Sequence, residues 1–107
     1  MGRPPREAPD AFSAIGHPKR RRIVELVAMA GSLTVGAIAA EFGESRQAIS
    51  KHIAILEEVR VLRVAAKGRE RHCSVDLAPL VEVYDWLSFF DAFWDRKLTA
   101  LQAFVSD

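Results

Sequence analysis

The stretch LTVGAIAAEFGESRQAISKHIAILEE, Leu33–Glu58, decides the fold. Thr34 has a side-chain oxygen suited to capping a helix start. Leu33 before it and Ile38 four residues into the helix set up a hydrophobic staple. Ile38, Ala39 and Phe42 give that helix an apolar face, and Gly43 stops it. Ser45 caps another helix only a few residues later. There Ile49, Ile53 and Leu56 fall at i, i+4, i+7 and mark the inward face. Arg46, Gln47, Ser50, Lys51 and Ala54 mark the opposite one. Two helices joined by a turn of about three residues containing Gly have the spacing of a helix-turn-helix.

Upstream, residues 1–9 carry three prolines, a glycine and two arginines and read as a flexible arm. Asp10 is placed to cap a short helix, Ala11 to Ile15, ended by Gly16. Pro18 suits the first position of the next helix, where its missing N–H is not needed. Ile23, Leu26, Val27 and Ala30 form its apolar stripe, and Gly31 closes it. Lys19, Arg20, Arg21 and Arg22 crowd its first turn, against the helix dipole. That cost calls for an anionic partner or acidic neighbours.

Downstream, Val61 to Val75 alternates in character around Lys67-Gly68-Arg69-Glu70, the pattern of a β-hairpin with a charged tip. From Leu77 to about Val105 the apolar residues recur in steps of three or four. Leu80, Tyr84, Leu87, Trp94, Leu98, Leu101 and Val105 make one stripe, and Val83, Trp86, Phe90 and Phe93 another. The pattern predicts one helix over 77–105, too long and too apolar to hide against one small domain. A second copy of the chain is the simplest cover.

The 107 residues suffice for one domain, a winged module over 10–107 after the arm at 1–9. Half the residues are hydrophobic and 27% are charged, which argues against disorder of the whole chain. A single Cys excludes a disulfide framework and a Cys-rich zinc module and fits a reducing compartment. No apolar run reaches the roughly 18 residues of a membrane span, and the N-terminus lacks a secretory apolar stretch. A cytoplasmic location is the default. The net charge of +1 hides an asymmetry: residues 1–72 hold 13 Lys/Arg against 8 Asp/Glu, and residues 73–107 hold 2 against 6. A basic body with an acidic tail admits a polyanion partner or a merely solvated surface.

The order helix, helix, helix-turn-helix, hairpin, long helix resembles the ArsR-type winged helix-turn-helix repressors. The likeness rests on Ala14 to Ile23, on Leu33-Thr34-Val35 with Ile38-Ala39, on Ser45 to Leu56, and on Lys67-Gly68-Arg69, in order and at family distances. Trp86-Leu87 with Phe93 to Leu98 is similar to the SdpR-like branch. The resemblance implies a mainly α fold with a small β-hairpin and a homodimer formed through the first and last helices. It also implies a Ser45–Glu58 helix in the major groove of promoter DNA, with the hairpin as a wing. One departure concerns the turn after that helix, Val59-Arg60-Val61, where the family commonly has Ala-Gly-Leu. Either Arg60 bears strain or the turn is built differently.

Ser45, Arg46, Gln47, Ser50 and Lys51 are the expected DNA-reading face, because Arg and Lys donate to guanine and Gln pairs with adenine. His52 lies beside the apolar stripe, and packing between helices, with a ring nitrogen on backbone or phosphate, suits it better than base reading. Lys67, Arg69 and Arg71 in the wing suit phosphate or minor-groove contact and also protect a strand edge. Alternation predicts Arg69 and Arg71 on one side of the strand. Lys19–Arg22 suit phosphate contact, and Arg20 and Arg22 alternatively suit pairing with Glu residues of neighbouring helices. Phe12, Ile15, Leu80, Tyr84, Leu87, Phe90, Trp94, Leu98 and Leu101 are the expected dimer interface.

No cofactor or metal is expected. The helix before Ser45 lacks the Cys-x-Cys pair of one family metal site. Residues 77–107 lack the histidine of another, and His17, His52 and His72 are scattered. Cys73, beside Arg71 and His72, reads as an activated thiol or as a small buried hydrophobe. No arrangement of nucleophile, base and orienting group points to an enzyme. Two alternatives stand beside the repressor: a protein-interaction module, and a regulator that answers an apolar ligand through its aromatic last helix.

Overall fold

The computed structural model describes residues 9–105; most of the arm at 1–9 therefore lies outside the described residues. Helix α1 spans Ala11–Ile15 and is held by a reciprocal cap. Ser13 N–H donates to Asp10 Oδ1 at 2.8 Å, and Asp10 N–H donates to Ser13 Oγ at 3.0 Å. Helix α2 runs Pro18–Ala30, with Pro at its first turn and Gly31 at its end in a positive-φ conformation (83°). Its buried residues are Ile23, Val24 and Val27. Ala30, which the apolar spacing placed on the inner stripe, is exposed, and Leu26 is half-buried. The inward face is rotated toward Val24.

Helix α3 (Val35–Phe42) starts on Thr34, whose Oγ1 accepts from Ala37 N–H at 3.1 Å, and stops at a left-handed Gly43. Helix α4 (Arg46–Glu58) starts on Ser45, whose Oγ accepts from Ala48 N–H at 3.1 Å. Ile49, Ile53 and Leu56 of α4 are fully buried. They meet Ile23, Val27 and Ile38 in a single core. Each cap saturates a helix-end amide that has no partner within its own helix. The helix-turn-helix is thus set by local chemistry and then locked by burial.

Strand β1 is only Leu33–Thr34; β2 (Leu62–Lys67) and β3 (Glu70–Val75) form the hairpin. The sheet order is β1-β3-β2, antiparallel throughout. The expected hairpin is therefore a three-stranded sheet. Cys73 pairs with both Leu33 and Val64, which puts the fully buried sulfur at the centre of the apolar side. Lys67 faces Glu70 across a two-residue turn, Gly68-Arg69, with positive φ (62°) at Gly68 only. This is the hairpin turn that places glycine first. Arg69 lies in that turn rather than in the strand, so the expected alternation with Arg71 does not hold.

Beyond the sheet, Asp76 fastens the next segment to the wing. Its carboxylate accepts from Ala78 N–H at 3.0 Å and from the Arg63 guanidinium at 2.7 Å. Those two donors hold the carboxyl below its usual pKa. The single helix expected over 77–105 is divided. A 3-10 turn (Ala78–Leu80) leads into α5 (Val81–Ser88), and α6 (Asp91–Val105) follows an interruption at Phe89–Phe90. No Gly or Pro causes the break. Phe90 sits between Trp86 (centroids 5.0 Å), Phe89 (5.0 Å), Phe93 (6.2 Å) and Trp94 (6.4 Å). The Trp94 indole N–H donates to the Leu87 carbonyl at 3.2 Å. Aromatic packing and one side-chain donor thus take over where the helix ladder is interrupted.

Candidate nucleic-acid interface

The polar side of α4 is open to solvent. Ser45, Arg46, Gln47 and Lys51 are exposed and Ser50 is half-buried, while the opposite side of the same helix is closed in the core. Arg46, Gln47, Ser50 and Lys51 border a shallow hollow of about 670 Å³ that begins at the helix N-terminus. Amide, hydroxyl and ammonium groups on one open ridge match the donors and acceptors of base edges and phosphates.

Arg46 also reaches a neighbouring helix. Its guanidinium turns back over the first turn of α3 and lies on Gly36. There it borders a second cleft, about 180 Å³, with Ser50 of α4 and Arg69, Glu70 and Arg71 of the wing. The structure therefore brings the basic wing tip next to the start of α4, although the two are separated in sequence by more than twenty residues. Lys67, exposed at the end of β2, does not line this cleft. Gly36 and Glu70 were not singled out from the sequence. A glycine inside a helix costs roughly 1 kcal/mol against alanine, which was the available signal for Gly36.

His52 takes the packing role. Its ring lies 4.7 Å from that of His17, and its Nδ1 is 3.3 Å from a guanidinium nitrogen of Arg20. Burial first, then the charges of His17, Arg20 and Lys19, depress its pKa. His17 itself caps α2, with Nδ1 accepting from Lys19 N–H at 3.1 Å.

Each of the four cations at the start of α2 has a partner within the chain. Lys19 pairs with Glu44 of the turn before α4. Arg20 donates to the carbonyls of Ala14 (2.6 Å) and Ser13 (3.2 Å), and Arg21 to that of Ile15 (2.8 Å). Arg22 pairs with Glu25 on its own helix at 3.3 Å. The expected pairing of Arg20 and Arg22 with glutamates of neighbouring helices does not hold: Arg20 turns to the carbonyl end of α1 and Arg22 to a glutamate of its own helix. Cys73 is buried and its thiol pKa is raised by desolvation, the environment of a small hydrophobe.

The expected dimer residues divide. Leu80 packs against the core. Phe12 meets Trp86 edge-on at 6.1 Å within the same chain, and Ile15 is half-buried. Tyr84, Leu87, Trp94, Leu98 and Leu101 are all exposed, and neither α5 nor α6 has a single buried residue. Among the described residues no helix is long and apolar enough to cross a membrane.

A helix-turn-helix domain family model matches residues 15–65 of the chain. The transcriptional repressor SdpR of Bacillus subtilis is 33% identical over 81 residues, 76% of this chain and 89% of that protein. The HTH-type transcriptional regulator Rv2034 of Mycobacterium tuberculosis is 36% identical over 93 residues, 86% of this chain and 83% of its own. A crystal structure described as a possible transcriptional regulator for arsenical resistance superposes with a TM-score of 0.69 at 34% identity, covering 92% of this chain and 98% of that one. That of the ArsR family transcriptional regulator RHA00566 gives 0.68 at 30%, covering 78% and 86%.

Proposed function

The chain belongs to the ArsR-type winged helix-turn-helix transcriptional regulators, a non-enzyme family, and from that premise we propose that it is a homodimeric repressor that occupies promoter DNA without a metal ion. One observation carries the reading: α4 exposes Arg46, Gln47 and Lys51 on one side while Ile49, Ile53 and Leu56 on the other are fully buried. A helix committed this way offers its polar ridge to something outside the domain. The basic tip at Arg69 and Arg71 stands beside that ridge and suits the phosphates flanking a major groove.

The dimer reading draws on the unburied apolar sides of α5 and α6. Two copies joined there would set two α4 helices on one side of a duplex, with half-sites about one helical turn, roughly 34–36 Å, apart. The metal-free reading draws on donor chemistry: residues 35–41 contain no thiol and residues 77–107 no histidine. The repressor role is favoured because a relative that matches 76% of this chain carries that name.

The test is selection of duplexes from a random library by the full chain, followed by mobility-shift titration of the enriched sequence. A single enriched motif, bound with an affinity that falls steeply with salt, is expected. Failure to enrich any sequence, or binding indifferent to salt, overturns the proposal and favours a protein-interaction module. Zinc or arsenite should leave the complex intact; release by either ion refutes the metal-free reading.

A further inference from the structure

We infer that the stacked rings of His17 and His52 form a proton-sensitive joint between α2 and the DNA-reading helix, so that acid lowers the discrimination between the selected sequence and other duplex; the inference rests on the DNA-binding reading above. The two rings lie 4.7 Å apart, centroid to centroid, with their planes at 50°. His17 stands at the cap of α2 and His52 within α4, and both are half-buried. Each Nδ1 faces a group that can only donate. At His17 it is the Lys19 N–H, at 3.1 Å. At His52 it is the Arg20 guanidinium, at 3.3 Å. A guanidinium has no acceptor. Both contacts therefore require a neutral ring with its hydrogen on Nε2, and each is lost when Nδ1 takes a proton.

The surroundings oppose the added charge. His52 faces His17, Lys19 and Arg20 from the α2 side and Glu44 from the turn before α4. Among the described residues Glu44 is the one carboxylate acting on it, and Lys19 pairs with that carboxylate. Helix α1 brings carbonyls: Arg20 donates to those of Ala14 and Ser13 while it meets His52. One arginine thus ties α1, α2 and α4 together, and its tie to α4 ends on an acceptor that a proton abolishes.

Ile49, Ile53 and Leu56 keep α4 in the core when that tie is cut, so the consequence falls on the orientation of the helix. Base reading requires a fixed orientation, whereas charge-driven attraction to any duplex does not. The proton therefore acts against the sequence-specific complex. A ring that titrates near the ordinary histidine value of about 6.5 with the joint open, and stays neutral with it closed, costs the specific complex up to roughly tenfold in relative affinity at pH 5.5.

The experiment uses the full chain as wild type, His52→Gln, the double variant His17→Asn/His52→Gln, and His72→Gln. Asn still caps a helix and Gln still accepts from Arg20, but neither titrates. Wild type first selects a sequence from a random duplex library at pH 7.5. Each protein is then titrated on that duplex and on a scrambled one between pH 7.5 and pH 5.5 at fixed ionic strength, with circular dichroism confirming native helix content. The ratio of the two dissociation constants cancels the general attraction that any newly charged group adds. For wild type this ratio should shrink roughly five- to tenfold toward pH 5.5. His52→Gln should lose most of that change, and the double variant should hold the ratio constant. His72, on β3, is not among the groups acting on His52, and His72→Gln should respond as wild type does. Nitrogen NMR of the free chain at pH 7.5 should show the Nε2–H tautomer at both His17 and His52.

A wild-type ratio indifferent to pH overturns the inference. So does an undiminished change in the double variant, or a change abolished by His72→Gln. An Nδ1–H tautomer at either ring overturns the joint itself. If wild type selects no sequence, the DNA-binding reading falls and the effect on discrimination with it, whereas the two tautomers still decide whether the joint exists.

Discussion

Arg60 follows α4 with φ at 66°, the only non-glycine residue with positive φ among the described residues. Its N–H donates to the Glu57 carbonyl at 2.9 Å, and the next residue, Val61, donates to Leu56 at 3.0 Å. This is a Schellman ending, in which the left-handed place is normally a glycine. Leu56 and Val61, both fully buried, supply the apolar contact that goes with it. Of the two expectations for this turn, the one observed places Arg60 in the left-handed region. Arg60→Gly should therefore raise stability by about 0.5–1 kcal/mol, the left-handed cost less the extra freedom of glycine in the unfolded chain. Urea denaturation measures it, and an unchanged midpoint would mean the tertiary contacts carry no strain there.

His52 gives a second prediction at this scale. Its pKa is below 6.5 in the folded chain, by burial and by His17, Arg20 and Lys19. Protonation therefore favours the unfolded chain. The His52 contribution is fully present above pH 6.5 and is lost as pH falls below that value toward the folded one. The denaturation midpoint should decline between pH 7 and pH 5, and His52→Gln should flatten that decline. An equally steep decline in the variant would place the titrating group elsewhere.

Among the elements, those with a local start and stop were legible in the sequence. The caps at Asp10, Thr34 and Ser45 and the stops at Gly31 and Gly43 lie where side-chain chemistry placed them. The hairpin was legible from Gly68, but β1 was not. Two residues carry no periodic signal, and Leu33–Thr34 becomes a strand only because β3 offers it an edge. The division of the last helix was equally hidden, because Val83 to Trp94 keeps helical spacing straight through the break. At the break, residues seven apart meet: Trp94 Nε1 donates to the Leu87 carbonyl beside the rings packed on Phe90. Trp94→Phe removes that donor and keeps an aromatic ring. Amide hydrogen exchange around Phe89–Phe93 should quicken several-fold, as for loss of one hydrogen bond of about 0.5–1.5 kcal/mol. Unchanged exchange would show that ring packing alone holds the interruption.

As a whole the chain is extended. Its Cα radius of gyration is 17.7 Å, against about 13 Å for a compact domain of this length. Helices α5 and α6 leave Trp86, Phe93, Leu98, Leu101 and Phe104 each more than half exposed. A surface of that kind on an isolated chain favours association. Replacing both Leu98 and Leu101 by Glu should convert a dimer into a monomer, read by sedimentation velocity. The winged body, whose core lies in the other elements, should keep its cooperative unfolding. A variant that sediments like wild type would move the interface off α6. The same variant should lose most of its affinity for a two-half-site duplex while keeping weak binding to one half-site.

What the sequence by itself determined was whatever depends on neighbours within about four residues. That covers the capped helices, the buried stripe of α4, the outward display of Gln47 and Lys51, and the left-handed demand that falls on Arg60. Only the tertiary structure decided which cations remain available. Lys19, Arg20 and Arg21 are taken up by Glu44 and by the carbonyl end of α1, whereas Arg46, Arg69 and Arg71 meet around one cleft. Charge is visible in a sequence, but the partner that satisfies it is chosen by distance in space, and long flexible side chains leave that choice to the packed fold.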